Sequence, residues 1–188
     1  MAIIHLNTNA KLSEIKQVRF GDEVLFTGSF FTARDKAHRW LLQHNFKPLH
    51  GAVLYHCGPM YEQIDKNFHI LAAGPTTSAR FDYYTPELLK KYQLKAIVGK
   101  GGMNVAVQEQ LLHKGIYCTA IGGAAVLYAH CITKVLNVYK TEFGMTDAIW
   151  ELQVKDFPVI CAIDTKGNNL FKNVEVKSKQ RLASLLSA

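Results

Sequence analysis

The feature that most constrains this chain is its rhythm. Short apolar runs rich in Val, Ile, Phe and Tyr alternate with helix-like segments, and Gly, Thr and Ser build the turns between them. Runs at 24–31, 52–56, 69–73, 96–98, 116–120, 150–154 and 159–163 read as strands. Apolar spacing predicts helices at 35–44, 86–92, 105–113 and 124–136, with a fifth at 179–186. Pro86 stands where a helix start tolerates proline, Thr85 before it can cap, and Gly115 is placed to close the third helix in the left-handed conformation. Residues 164–169, Asp-Thr-Lys-Gly-Asn-Asn, read as a turn. Such alternation predicts a mixed α/β domain over 1–188 and leaves the strand order open. The segment 124–135 is apolar nearly all round, so it reads as a helix packed on several sides, with His130 and Cys131 as core or interface residues.

Composition closes off several classes. With 48% hydrophobic and 20% charged residues, the chain is not a disordered one. No apolar run approaches the roughly 20 residues of a membrane span, and Met1 to Leu12 lack the pattern of a secretory signal. A cytoplasmic, soluble protein is expected. The formal charge of +7 permits an anionic partner, but the basic residues are dispersed, densest from Lys172 to Arg181. The four cysteines, Cys57, Cys118, Cys131 and Cys161, stand far apart in apolar stretches with no zinc spacing. Free cysteines of this kind behave as small buried hydrophobes.

The chemistry is concentrated in the turns. Thr27 to Asp35 carries Arg34, Gly74 to Arg80 carries Thr76, Thr77 and Arg80, and Val98 to Asn104 carries Lys100; Ala120 to Gly123 has glycines and no charge. Helix N-termini attract anions, glycine admits a ligand close to the backbone, and arginine grips a carboxylate through two parallel hydrogen bonds. Three such turns converging would surround a small multivalent anion. Each turn taken singly is more often an ordinary loop with a solvated cation, and the reading rests on three together. Gly99 to Gly102 lacks the frame of a P-loop, which leaves carboxylates ahead of nucleotides. His38 lies one helical turn after Arg34 and could exchange protons near neutral pH, or be a surface histidine on an amphipathic helix; Asp35 reads as a cap or a partner for arginine.

Taken in order, the turns become recognisable. Gly21-Asp22 through Thr27-Gly28, Thr32-Ala33-Arg34-Asp35 with His38, His56-Cys57-Gly58-Pro59, Gly74-Pro75-Thr76-Thr77-Ser78-Ala79-Arg80, Gly99-Lys100-Gly101-Gly102-Met103, Gly122-Gly123-Ala124-Ala125, Glu142-Phe143-Gly144-Met145 and residues 164–169 span most of the chain. This series resembles the β-type subunit of iron–sulfur-dependent hydro-lyases, the family of L(+)-tartrate dehydratase and class I fumarase. It is similar to the C-terminal domain of the one-chain members.

The resemblance implies a swivelling β/β/α domain with a mixed sheet. It also implies an enzyme that reversibly hydrates or dehydrates a C4 dicarboxylate, with fumarate to malate first and L(+)-tartrate as the alternative. By the same resemblance, an α-type partner subunit supplies three cysteines to a 4Fe–4S cluster, this chain ligates no metal, and the enzyme is a hetero-oligomer without nucleic-acid or membrane partners. Position by position, Arg34, Arg80 and Lys100 would grip substrate carboxylates, and Thr76 and Thr77 would be the paired threonines, Thr76 nearest the proton-abstraction step. His38 would be a candidate acid or base, and Gly74 and Gly99 would shape the loops. Gly101-Gly102-Met103 departs from the Gly-Asn-Arg typical of one-chain fumarases, and Ser78-Ala79-Arg80-Phe81 departs from their Ala-Gly-Arg-Met. The first departure resembles two-subunit members, and the second leaves fumarate as one substrate among alternatives. The alternative from another class is a non-catalytic basic domain that binds nucleic acid or another anion.

Overall fold

The computed structural model describes residues 2–187. In chain order the elements are β1 (Ile3–Asn7), α1 (Leu12–Ile15), β2 (Glu23–Thr32), α2 (Asp35–Gln43), β3 (Val53–Tyr55), β4 (Met60–Ile64) and β5 (Asn67–Ala72). They continue with α3 (Thr85–Tyr92), β6 (Ala96–Gly99), α4 (Val105–Leu111), β7 (Ile116–Thr119), α5 (Ala125–His130), β8 (Ile132–Tyr139), β9 (Ile149–Ile163) and α6 (Leu170–Leu186). Seven strands form one mixed sheet in the order β1-β2-β3-β6-β7-β9-β8. The pairs from β1 through β7 are parallel, and β9 runs antiparallel to β2, β7 and β8. Because β9 also pairs with β2, the strands β2, β3, β6, β7 and β9 close into a ring of hydrogen bonds.

Alternation along the parallel strands feeds two cores. Inside the ring lie Val24, Phe26 and Phe30 with Val53, Tyr55, Val98, Ile116 and Cys118. The residues between them, Phe31, Leu54, Ile97 and Tyr117, turn outward onto Leu41 of α2, Leu88 of α3 and Val107 and Leu111 of α4. A strand buried on both faces needs apolar residues at every position, which is why these strands read as continuous apolar runs. The β4–β5 hairpin lies apart from the ring and packs Tyr61 and Phe68 against Trp150.

Four expectations are corrected. The segment 124–136 is not one helix: α5 ends at His130, and Ile132 to Tyr139 pair with β9 instead. The β-branched side chains of Ile132, Thr133, Val135 and Val138 favour a pleated strand that has a partner ladder waiting. α5 is also packed on one side only, through Tyr128 and Ala129, while Val126 and Leu127 are 60% and 51% exposed. His130 is exposed and Cys131 half-buried, so neither is a core residue. The two strands 150–154 and 159–163 are one, β9, which passes through Asp156 in the left-handed region (φ 48°) opposite a register shift in β2. There the Asp156 N–H, out of the ladder, donates to Thr27 Oγ1 at 3.0 Å.

The helix ends differ from expectation in the same local way. His113, not Gly115, takes the left-handed conformation after α4, with φ 62°. Gly115 is needed for space, since a Cβ there would stand 2.8 Å from the Lys95 carbonyl oxygen. Thr85 does not cap α3; its hydroxyl donates to the Phe81 carbonyl at 2.8 Å. The residues 164–169 do form a turn, with Asp164 Oδ1 accepting from the backbone N–H groups of Lys166 and Asn168. β1, β4 and β8 are strands not anticipated, and the predicted helix 179–186 is the end of the longer α6. No helix among the described residues is long and apolar enough to cross a membrane.

Candidate functional site

Because β2, β3, β6 and β7 are parallel, their C-terminal ends open on one side of the sheet. Ligands of sheets built on parallel strands, open or closed, bind beyond the carboxyl ends of those strands. Three of the four turns singled out in the sequence follow directly: Ala33-Arg34 after β2, Lys100 to Gly102 after β6, and Ala120 to Gly123 after β7.

The fourth arrives by a different route. Residues 74–80 leave the β4–β5 hairpin and thread between the extensions of β3 and β6. The Thr76 N–H donates to the His56 carbonyl (2.6 Å), the Lys100 N–H to the Thr76 carbonyl (3.2 Å) and the Ser78 N–H to the Lys100 carbonyl (2.9 Å). Bridges Cys57 to Pro75 and Thr77 to Lys100 complete this inserted segment. Thr76, Thr77 and Lys100 therefore share one rim.

Arg34 and Arg80 stand on the neighbouring part of that rim. Arg34 occupies the N-cap position of α2 in extended backbone, and its side chain runs past Gly58, where a Cβ would stand 2.6 Å from Arg34 Cδ. Its Nε is buried without a hydrogen-bond partner. Arg80 is half exposed and pairs with Asp35 at 2.7 Å, so Asp35 is the arginine partner. Lys100 lies over the β7 turn, with Cδ 3.2 Å from where a Gly122 Cβ would be. Thr76 is half-buried and Thr77 exposed.

His38 departs from both readings of it. It is fully buried rather than on the surface, stacked flat on Phe81 with ring centroids 4.2 Å apart. Its Nδ1 lies 2.8 Å from the Arg34 carbonyl, which can only accept, so Nδ1 carries the hydrogen. Burial pulls its pKa down to about 4, against smaller upward pushes from that hydrogen bond and from Asp35. The imidazole is therefore neutral at neutral pH and buried behind the rim. His56, Ser78 and Tyr117, none of them given a role in the sequence reading, form a hydrogen-bonded cluster on the same inner side. The signal available was a polar residue, His56, directly after the apolar run 52–55.

The cysteines do not suit an iron–sulfur cluster. Burial raises the Cys57 thiol to about 12, against the pull of Arg34, and raises Cys118 well above its ordinary range. Cys118 and Cys161 face each other across the β7–β9 ladder, but both are sealed in the core. Among the described residues, no group of three or more His, Cys, Asp or Glu is placed to hold a metal ion.

The fold and rim define an α/β module that presents basic and hydroxyl side chains beyond the carboxyl ends of parallel strands. The chain belongs to the fumarase C-terminus family, whose model matches residues 1–174. A Geobacillus stearothermophilus protein named "Putative fumarate hydratase class I" is 39% identical over 184 residues, 96% of this chain and 36% of that protein. The chain thus spans about a third of that relative. A Methanocaldococcus jannaschii protein named "Putative L(+)-tartrate dehydratase subunit beta" is 37% identical over 182 residues, 92% of this chain and 93% of the relative. The Escherichia coli (strain K12) "L(+)-tartrate dehydratase subunit beta" is 34% identical over 171 residues, 88% and 85% of the two chains.

Proposed function

We propose that this chain, as a single domain over 1–188, is the β-type subunit of a two-subunit hydro-lyase that reversibly hydrates a C4 dicarboxylate, fumarate to malate. The reading rests on one arrangement: Arg34, Thr76, Thr77, Arg80 and Lys100 are carried to a common rim by parallel strand ends and the inserted 74–80 segment. A doubly charged acid needs a cation at each end, and arginine and lysine at this rim supply them without a base or nucleotide pocket. Arg80 is half exposed and held by the half-buried Asp35, and surface ion pairs of this kind contribute only about 0–1 kcal/mol. A substrate carboxylate can displace Asp35 at small cost. Thr76 is anchored by backbone hydrogen bonds on both sides, which fixes the backbone from which its hydroxyl would serve a proton-transfer step. His38, neutral and buried, serves Arg34 by holding its carbonyl, in place of the acid or base role expected for it.

The family's cluster would be carried by an α-type partner, because Cys57, Cys118 and Cys161 are buried and Cys131 half-buried, with burial raising the Cys57, Cys118 and Cys131 thiols. No step is assigned to it on this chain. Free cysteines suit a reducing cytoplasm. The L(+)-tartrate reading is second, favoured by relatives of matching length that carry that name. Assembly with an α-type chain under anaerobic conditions, followed by turnover of fumarate, malate and L(+)-tartrate, tests both. Fumarate hydration supports the first reading and tartrate dehydration the second. A cluster-loaded complex that converts none of the three overturns the hydro-lyase reading.

A further inference from the structure

Ser78 makes three contacts through one hydroxyl. Its oxygen accepts from the Lys100 N–H at 3.2 Å, lies 2.9 Å from His56 Nδ1 and lies 3.0 Å from the Tyr117 hydroxyl. The Tyr117 hydroxyl in turn donates to the Gly101 carbonyl at 2.7 Å. A hydroxyl has one hydrogen and accepts two, and a carbonyl only accepts. Tyr117 therefore spends its hydrogen on Gly101, and Ser78 spends its own on Tyr117. The two places left on Ser78 are filled by Lys100 N–H and His56 Nδ1–H. This assignment satisfies each group from His56 Nδ1 to the Gly101 carbonyl and places a hydrogen on His56 Nδ1, while His56 Nε2 is buried without a partner.

The packing around the cluster is built for it. Gly99 is not in the left-handed region, yet a Cβ there would stand 1.8 Å from Ser78 Oγ and 3.0 Å from His56 Nδ1. Ser78 and His56 are both completely buried, so neither reaches a ligand at the rim. Their attachments, however, are the backbone of Lys100 and of Gly101 and, through the Thr76 N–H bonded to the His56 carbonyl, the threonine segment.

We propose that His56 is a positioning residue for the hydro-lyase site: acting through Ser78, it locks Lys100 in register with Thr76 and Thr77. The proposal rests on the hydro-lyase reading for its effect on turnover and on the hydrogen-bond geometry alone for its effect on the backbone. Burial, reinforced by neighbouring His38, holds the His56 pKa well below 6.5, in keeping with a fixed donor rather than a proton carrier.

Two readouts test it. In the full chain alone, amide hydrogen exchange of Lys100 and Ser78 is followed in the parent, His56→Leu and His56→Asn. Asparagine offers an N–H near the position of Nδ1 and leucine does not. Expected is a 10-fold or greater loss of protection at Lys100 in His56→Leu, largely restored in His56→Asn; equal protection in all three overturns the proposal. In the assembled enzyme, well below the melting temperature, folded His56→Leu and Ser78→Ala should lose roughly 10–100-fold in kcat/KM with an unchanged pH profile, and His56→Asn should recover most of it. Full activity in His56→Leu, or loss of one limb of the pH profile, overturns it. A parent complex without turnover defeats the hydro-lyase reading and with it the role in turnover, while the exchange result still decides the backbone lock.

Discussion

On the outer side of the strand ends, Arg80 is half exposed against Asp35 and Thr77 lies open to solvent; on the inner side of the same segments, His38, His56, Ser78 and Phe81 are completely buried. The outer groups are charged and sit in water, where each interaction is weak and screened. The inner groups are neutral and meet specific partners in a low-dielectric setting, where a lost hydrogen bond is costly. The difference teaches that recognition and geometry are divided between the two sides. The outer side gains strength as water is excluded from it, whereas the inner side is already sealed from water within this chain.

That contrast can be broken at either side. The largest effect is expected outside: Arg80→Ala in the assembled enzyme should cut kcat/KM by roughly 10²–10⁴ while leaving the melting temperature nearly unchanged, since one charge-assisted clamp on a carboxylate carries a few kcal/mol. Unchanged kinetics would remove Arg80 from the site. Next is the wall behind the inner side. Leu41→Ala, fully buried against α3 and β3, should lose about 2–5 kcal/mol in urea unfolding.

Acid should act on the inner side as well. His38 titrates near 4 when folded and near 6.5 when unfolded, so between those values the unfolded chain binds the extra proton. The stabilisation is complete above pH 6.5 and is lost as pH falls toward 4, by about 3 kcal/mol over that window for this residue alone. Urea midpoints at pH 7 and 4.5 measure it, and a flat profile would contradict the buried neutral imidazole. Gly99→Ala should destabilise by about 1–3 kcal/mol, because the serine hydroxyl it would strike is held by three partners. The smallest change is expected far from both sides. None of the α6 side chains is buried, so ending the chain after Val174 should move the melting temperature by less than about 2 °C.

How much of this was legible follows the same division. The strands of 53–55, 96–99 and 116–119 were readable because burial on both faces demands unbroken apolar runs. α2, α3 and α4 were readable because one face packs and the other is wet. β8 was misread as helix because Ile132 to Tyr139 offers no clean period of either kind, and only the ladder of β9 decides between them. The basic and hydroxyl residues of the rim were legible as turn chemistry, and Arg34, Thr76, Arg80 and Lys100 were named from it. Ser78 and His56 were quoted within motifs but given no role, since Ser78, 22 and 39 residues from Lys100 and Tyr117, and His56, 22 residues from Ser78, carry no local mark of being bonded to these partners.

By itself, then, the order of residues determined the doubly buried strands, the amphipathic helices and which side chains could hold an anion, because those properties depend on neighbours a few positions away. Tertiary structure alone decided that β9 closes the ring, that residues 74–80 thread between the extensions beyond β3 and β6, and that His38 is sealed off from water. Each of these depends on contacts between residues distant along the chain, whose free energy is realised only once the sheet has assembled.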